Sequence, residues 1–431
     1  MKARDVVLLL LIIGAGVLVH QIQEGTIPLV WDLDEGLLWN AREFRFEETL
    51  SAAAPVPAAL VVENAHGTVE VQGTATDTVT VQFTKRIYRR DEADAREVAG
   101  RLRAVLRREE DRIVLSTNRG EFKRRRNFET DFKIICPAGT EVTVNNSYGK
   151  VVADGLAALS VTNPHGEVRA GRLAGSVTVV NSYEEVELLD CGADVSVDAR
   201  HARVAVRGVR GKLDVLHHYG PLHIESVAGE VVIDAGRVSV TAIDCPAGVR
   251  VADSYEPIRL VRVGPVRIDA AHADVEAEDI RGTCWIRDSH AFVRLDGVRD
   301  AVTIDGRSLA LTARRLSGDG NDISTSYENV DLGEFNGRTT VRLSHGDLIL
   351  APAALAGLID VQAEYAKIRL AWPAGERRPL EARSRGGRVR WGLDAPSRTE
   401  TNGTFVLRAF EDEAGRPAIK LATTYEDIVI D

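Results

Sequence analysis

Rare residues recur at a nearly fixed step along this chain, and that recurrence narrows the folds open to it more than any other feature of the sequence. Counting on from Tyr148 by 17 to 20 residues reaches His165, Tyr183, His201, Tyr219, Arg237, Tyr255, His272, His290, Ser308, Tyr327, His345 and Tyr365 in turn. With Tyr425 included, 7 of the 8 tyrosines fall on this register, and with His66 so do 6 of the 10 histidines. Chance does not place scarce residues this way. If the Tyr or His is called the marker, apolar residues stand six and four before it and three, five and eight after it. Val195, Val197, His201, Val204, Val206 and Val209 make one copy, and Val266, Ile268, His272, Val275, Ala277 and Ile280 make another. Alternation at period two gives each copy two short strands with one apolar face, and the odd step from zero to plus three demands a turn or bulge just after the marker. Gly149, Gly166, Gly220 and Gly346 stand at that break. About eighteen residues are too few for a strand, a crossover helix and a return strand, so the copies are expected to stack as rungs of an all-β solenoid. About thirteen rungs at about 4.8 Å would stack to about 60 Å.

The regular rungs are assigned to residues 136–376, and the segments around them differ in kind. At the N-terminus Lys2 and Arg4 precede an uncharged apolar run, Val6 to Val19, and Glu24, Asp32, Asp34 and Glu35 follow it. Charge asymmetry of this sense puts the N-terminus in the cytoplasm and the rest of the chain across the membrane. At about 1.5 Å per residue, Val6 to Ile22 covers about 25 Å, enough for a thin span. No small-residue cleavage site follows, so residues 1–24 are read as an uncleaved single-pass anchor, with a cleaved signal peptide as the rival. Residues 25–41, with Trp31, Leu33, Leu37, Leu38 and Trp39, are read as a juxtamembrane linker.

Residues 42–135 are expected to form a small strand, helix and strand cap. Phe44 to Phe83 includes one early copy, Leu60, Val62, His66, Val69 and Val71. From Asp91 to Arg108 the period changes, because Ala95, Val98, Ala99, Leu102, Val105 and Leu106 recur at three and four. That predicts an amphipathic helix over 91–108, lying across the solenoid end and blocking end-to-end addition of another copy. Ile113 to Ser116 returns to strand. The dense basic run Lys123 to Arg126 is read as a solvated hairpin tip, an anionic lipid or polymer contact being the alternative. Residues 377–431 read as interrupted: Arg377 to Asp412 loses the repeat, and Ile419, Leu421, Tyr425, Ile428 and Ile430 restore it as a last rung. Cys191 and Cys245 occupy the plus-eight apolar slot and Cys284 the minus-six slot, and no CxxC pair or zinc spacing occurs. The cysteines are expected to be buried free thiols, since two in one slot three rungs apart lie about 14 Å from each other.

The lead-in and copies such as Asn64-Ala-His-Gly67-Thr-Val69, Asn146-Ser-Tyr-Gly149-Lys-Val151 and Asn163-Pro-His-Gly166-Glu-Val168 resemble a bacterial β-strand-repeat family of unknown function that carries the label "putative adhesin". The resemblance covers roughly residues 42–431. It implies a solenoid on the cell envelope and no particular chemistry. The alternating Tyr and His column and the C-terminal interruption depart from a plain repeat.

A net charge of −10 with basic residues spread along the chain excludes nucleic acid as an expected partner. No GxSxG, HExxH, phosphate-loop or dinucleotide motif appears in a suitable context, and no cofactor or metal is implied. The marker residues Tyr148 to Tyr425 are read as a structural column of flat side chains stacked rung on rung at one corner. Tyr cannot replace His as a base or common ligand, yet it fills the same slot in half the copies. Candidate acid and base groups are His272 with Asp274, His290 with Asp288 and His345 with Asp347, and the directly adjacent pair His272 and His290 is the first place to look for a shared metal or proton. The expectation is therefore a non-enzymatic, membrane-tethered scaffold or adhesin, single-pass in the inner membrane with its C-terminal domain periplasmic. The alternative is a carbohydrate-active solenoid enzyme acting on an envelope polysaccharide. Expected partners are the membrane and an unidentified envelope polymer or protein, with self-association a further option.

Overall fold

The computed structural model describes residues 41–122, 127–392, 397–410 and 418–431, together with the short antiparallel pair Trp31–Asp32 and Gly36–Leu37. The expected anchor at 1–24, most of the linker at 25–41 and the basic run at 123–126 lie outside the described residues. No described helix is long and apolar enough to cross a membrane. The fold is an all-β solenoid whose chain divides into two compact units, Met1–Ala170 and Gly171–Asp431.

In the first unit the parallel rungs are not stacked in chain order. Strand Ala59–Glu63 lies between Arg112–Thr117 and Glu141–Asn145, and Val69–Thr74 lies between Phe128–Pro137 and Val151–Asp154. The later strands Arg112–Thr117 and Phe128–Pro137 are thus the outermost parallel rung of this unit. Beyond it the pairing turns antiparallel: Phe128–Pro137 pairs with Val79–Arg89, which pairs with Arg42–Ala52. Reversal of strand direction ends the parallel ladder, and Arg42, Glu43, Arg45, Glu47 and Glu48 put charge on the last edge.

The helix expected over 91–108 is only Glu92–Arg101. Asp91 caps it by accepting from the Asp94 backbone N–H at 2.9 Å, and Ala95, Val98 and Ala99 form its buried face. Ala104–Arg108 is instead a strand, antiparallel to Arg112–Thr117, with Val105 exposed. The spacing of Val105 and Leu106 fits a helix, but an open strand edge beside them satisfies more backbone groups than another helical turn would. The helix packs on Val79–Arg89, whose buried Lys85 donates to the Ala99 carbonyl at 2.8 Å and pairs with Glu48. Antiparallel strands, rather than the helix alone, close this end.

In the second unit the repeat stacks like on like. Val186 pairs with Val204, Leu188 with Val206 and Cys191 with Val209, and all six are buried. Val204 and Val206 bury their methyls against the same columns above and below, which contributes about 1.5–3 kcal/mol per side chain. Cys136, Cys191, Cys245 and Cys284 are all buried and free. Burial pushes the Cys191 and Cys245 thiols up to about 11 and Cys284 to about 12, which suits inert core residues.

The C-terminal reading needs correction. Ile419–Thr424 and Ile428–Ile430 are not the last rung, because they insert between Ile359–Leu370 and the rung made of Leu380–Arg385 and Val389–Trp391. Thr404–Ala409 then pairs antiparallel with Leu380–Arg385, and Ser397–Thr401 pairs antiparallel with Thr404–Ala409. The supposed interruption therefore contains a full rung. Leu380, Ala382, Val389 and Trp391 hold the minus-six, minus-four, plus-three and plus-five slots, but Gly386 holds the marker slot and hides the copy from a search on Tyr and His.

Candidate functional site: the stacked corner

Within each unit, rings of marker residues lie against one another. In the first unit His66, Tyr148 and His165 stack with centroids 4.6 Å apart at both steps. In the second unit Tyr183, His201 and Tyr219 follow one another at 5.8 and 4.7 Å. Tyr255, His272 and His290 do so at 5.1 and 4.9 Å. Tyr327, His345, Tyr365 and Tyr425 continue at 4.8, 4.9 and 4.9 Å. All but the Tyr183–His201 step lie close to the strand spacing, so the parallel ladder sets the ring spacing.

The turn expected just after the marker is made differently in the two units. In the first, Gly67 and Gly149 take the left-handed conformation, with φ of 129° and 110°. A Cβ on Gly149 would stand 2.3 Å from the Gly67 carbonyl oxygen, so only glycine lets the rungs approach. In the second unit, from His201 on, the marker itself is left-handed: His201, Tyr219, Arg237, Tyr255, His272, His290, Ser308, Tyr327, His345, Tyr365 and Tyr425 have φ between 51° and 91°, and Gly220 and Gly346 after two of them stand at 132° and 131°. Such a conformation costs a residue with a Cβ about 1–2 kcal/mol, and an aromatic pair returns about 0.5–1.5 kcal/mol. A ring stacked on both faces therefore offsets the strain of its own backbone.

Two features of the rung escaped the sequence reading. The first is a second left-handed corner seven residues after the marker, where Asp190, Ser226, Asp244, Arg262, Asp279, Arg315 and Glu334 have φ between 53° and 59°. The step from plus five to plus eight is odd, just as the step from zero to plus three is, and that parity was the available signal. The second is the residue two before the marker, which points inward and ties the corner with its polar atoms. Asn146 donates to the Gly67 carbonyl at 3.1 Å and Asn163 to the Gly149 carbonyl at 2.8 Å. Thr325 donates to Leu309 and Thr423 to Ala366, at 2.9 and 2.7 Å. His217 holds this slot in its own rung, fully buried, with Nδ1 3.0 Å from the Ala199 carbonyl.

The titratable groups of the corner are set by burial. Burial, with Arg119 nearby, lowers His66 to about 4, and burial lowers His217 as well. Asp288, in the inward slot beside His290, is buried, and desolvation raises its carboxyl above the usual range. Its Oδ1 accepts from the Ser289 N–H at 2.6 Å. His272 and His290 lie face to face, 26° from parallel, a geometry that does not aim their ring nitrogens at a common point. No group of three or more His, Cys, Asp or Glu among the described residues is arranged to hold a metal ion.

Outside the corner, outward charges pair from rung to rung. Arg262 clasps Asp244 through two 2.7 Å hydrogen bonds, Arg315 meets Asp296 at 2.6 Å, and Arg259 meets Glu276 at 2.5 Å. The bonds from Arg262 hold the Asp244 carboxyl below the usual carboxylate range. An open groove of 510 Å³ crosses this face in the second unit, lined by Thr241, Pro257, Arg259, Glu276, Phe292 and Arg294 among others.

No family model matches the chain, and no curated protein does either. Among solved structures it is similar to one described as a "putative cell adhesion protein" from Clostridium sporogenes ATCC 15579, at 8% identity and a TM-score of 0.18, with 90% of this chain and 99% of that one covered. A likeness of that order carries no functional weight.

Proposed function

We propose that this protein is a non-enzymatic β-solenoid of the cell envelope, tethered through its N-terminal apolar run in the inner membrane, that presents its periplasmic rungs as a binding scaffold of adhesin type. The observation that carries the reading is how the outward carboxylates are used. Asp244, Glu276, Asp296 and Asp331 are each paired with an arginine of a neighbouring rung. A general acid needs a raised pKa and access to substrate. Asp244 is lowered, and Asp288, which is raised, faces the interior. A surface of paired charges interleaved with grooves suits recognition rather than bond cleavage. The Lys2 and Arg4 flank of Val6 to Val19 supports the tether and its orientation.

The test is a pull-down from detergent-solubilised envelope with the full chain, paired with reporters fused after Asp431. Expected are one or more reproducible envelope partners and activity only of an extracytoplasmic reporter. Activity of a cytoplasmic reporter, or release of sugar or peptide from purified envelope polymer by the chain alone, would overturn the proposal.

A further inference from the structure

Ser308 is a position of the corner where the backbone is shaped as it is at the rings and the side chain is too short to stack. Ser308 takes the same left-handed conformation as its neighbours, with φ of 51°, and stands between His290 and Tyr327 in the stack. The flanking pairs fix this register: Ser289 lies beside Arg307 on one side, and Leu311 lies beside Val330 on the other. Its side chain therefore leaves the backbone at the same corner as the rings do, but ends at a hydroxyl.

Exposure records the consequence. Tyr148, Tyr219 and Tyr365 are 46–48% exposed and Tyr183, Tyr255 and Tyr425 56–57%, and Tyr327, with His345 on one face and Ser308 on the other, is the most exposed tyrosine of the stack at 60%. The other non-aromatic marker within the column behaves differently, for Arg237 lays its guanidinium 5.7 Å from the centroid of Tyr255. A serine cannot reach that far.

His290 and Tyr327 thus face each other across two rung steps, roughly 10 Å at the strand spacing, with one ring-sized place between them. Each ring already stacks on a neighbour on its outer side, His290 on His272 at 4.9 Å and Tyr327 on His345 at 4.8 Å, so both are held flat for a further partner. We propose that the gap at Ser308 is a binding slot for one planar aromatic ring, supplied by a Trp, Tyr or Phe side chain of a partner polypeptide. The choice of an aromatic ring rests on the column itself, in which that place is filled by a Tyr or His ring in most rungs. A flat ring at half the gap meets both faces at the spacing of the rest of the stack. The slot deepens the scaffold reading above and relies on it only for the existence of a polypeptide partner.

The experiment titrates the full chain in detergent, with its histidine rings isotopically labelled, against N-acetyl-tryptophanamide, and follows the His290 ring signal by NMR. The expected result is an upfield ring-current shift saturating in the millimolar range in the parent, with binding at least tenfold weaker in Ser308→Tyr. That variant completes the stack and should melt no lower than the parent. Should it fail to fold, Ser308→Arg is the second blocking variant, since Arg237 already occupies a marker slot with a guanidinium, and the same loss is expected. An unmoved His290 signal in the parent, or an equal shift in a folded blocking variant, overturns the slot. An equal shift with cellohexaose overturns its aromatic specificity. Capture of an envelope partner equally by parent and Ser308→Tyr would sink the slot and leave the scaffold reading standing. A probe shift without any captured partner would do the reverse.

Discussion

The two units solve one corner in two ways. In the first, Asn146 and Asn163 reach across the turn to a carbonyl, and Gly149 supplies the left-handed backbone. In the second, from His201 on, the Tyr or His is itself left-handed, and the inward slot holds residues as different as Ala199, His217, Asp288 and Thr325. The first arrangement depends on backbone freedom and side-chain hydrogen bonds. The second adds a left-handed marker to the ring stacking that both units share, and it tolerates a varied inward slot and a ringless place such as Ser308.

The largest effect should come from the core that both units share. Val204→Asp places an unpaired charge in a stacked apolar column and is expected to cost at least several kcal/mol. The outward neighbour change Arg203→Ala should stay within about 0.5 kcal/mol. Denaturant unfolding of both variants checks this, and equal midpoints would show that the inward register is misassigned.

Next is the glycine corner. Gly149→Ala meets both a φ of 110° and a carbonyl oxygen 2.3 Å from the new Cβ, for an expected loss of about 2–3 kcal/mol. A thermal melt of that variant indistinguishable from the parent would remove the proposed difference between the two corners.

The third effect is one of pH. Burial lowers both His66 and His217 in the folded state, so the fold favours their neutral forms. Their contribution is complete above the unfolded pKa of about 6.5 and is lost as the pH falls, for His66 down to about 4, after which it is level. His217→Asn transplants the inward residue of the first unit into the second. Unfolding midpoints at pH 7.5 and pH 5 should then differ less than in the parent, and an unchanged difference would show that the buried imidazole is not responsible.

The smallest effect is expected at the rings. His201→Tyr keeps a flat left-handed residue between Tyr183 and Tyr219 and should shift stability by less than about 1 kcal/mol. A loss of several kcal/mol on calorimetry would mean that the imidazole does more than stack.

Much of this was legible from particular residues. Val195, Val197, Val204 and Val206 alternate as strands must, and the Tyr and His positions mark a corner wherever they occur. The second corner at Asp244 and Arg262 was equally present as an odd step between apolar slots, but its residues share no side-chain type that draws notice. Asn146 and Asn163 were visible as part of a motif without a visible task, because their acceptors belong to other rungs, that of Asn146 79 residues away and that of Asn163 14.

By itself the sequence determined the rung: its length, its two strands, its inward face and its column of flat side chains. These follow from local parity, and parity needs no partner to be read. The order in which rungs stack was decided only by the tertiary structure. Strands Arg112–Thr117 and Phe128–Pro137 lie outside 59–74, and 419–430 insert ahead of 380–391, although either order satisfies the same apolar slots. Copies with interchangeable faces leave stacking order to their edges, and here antiparallel strands occupy the outer ones.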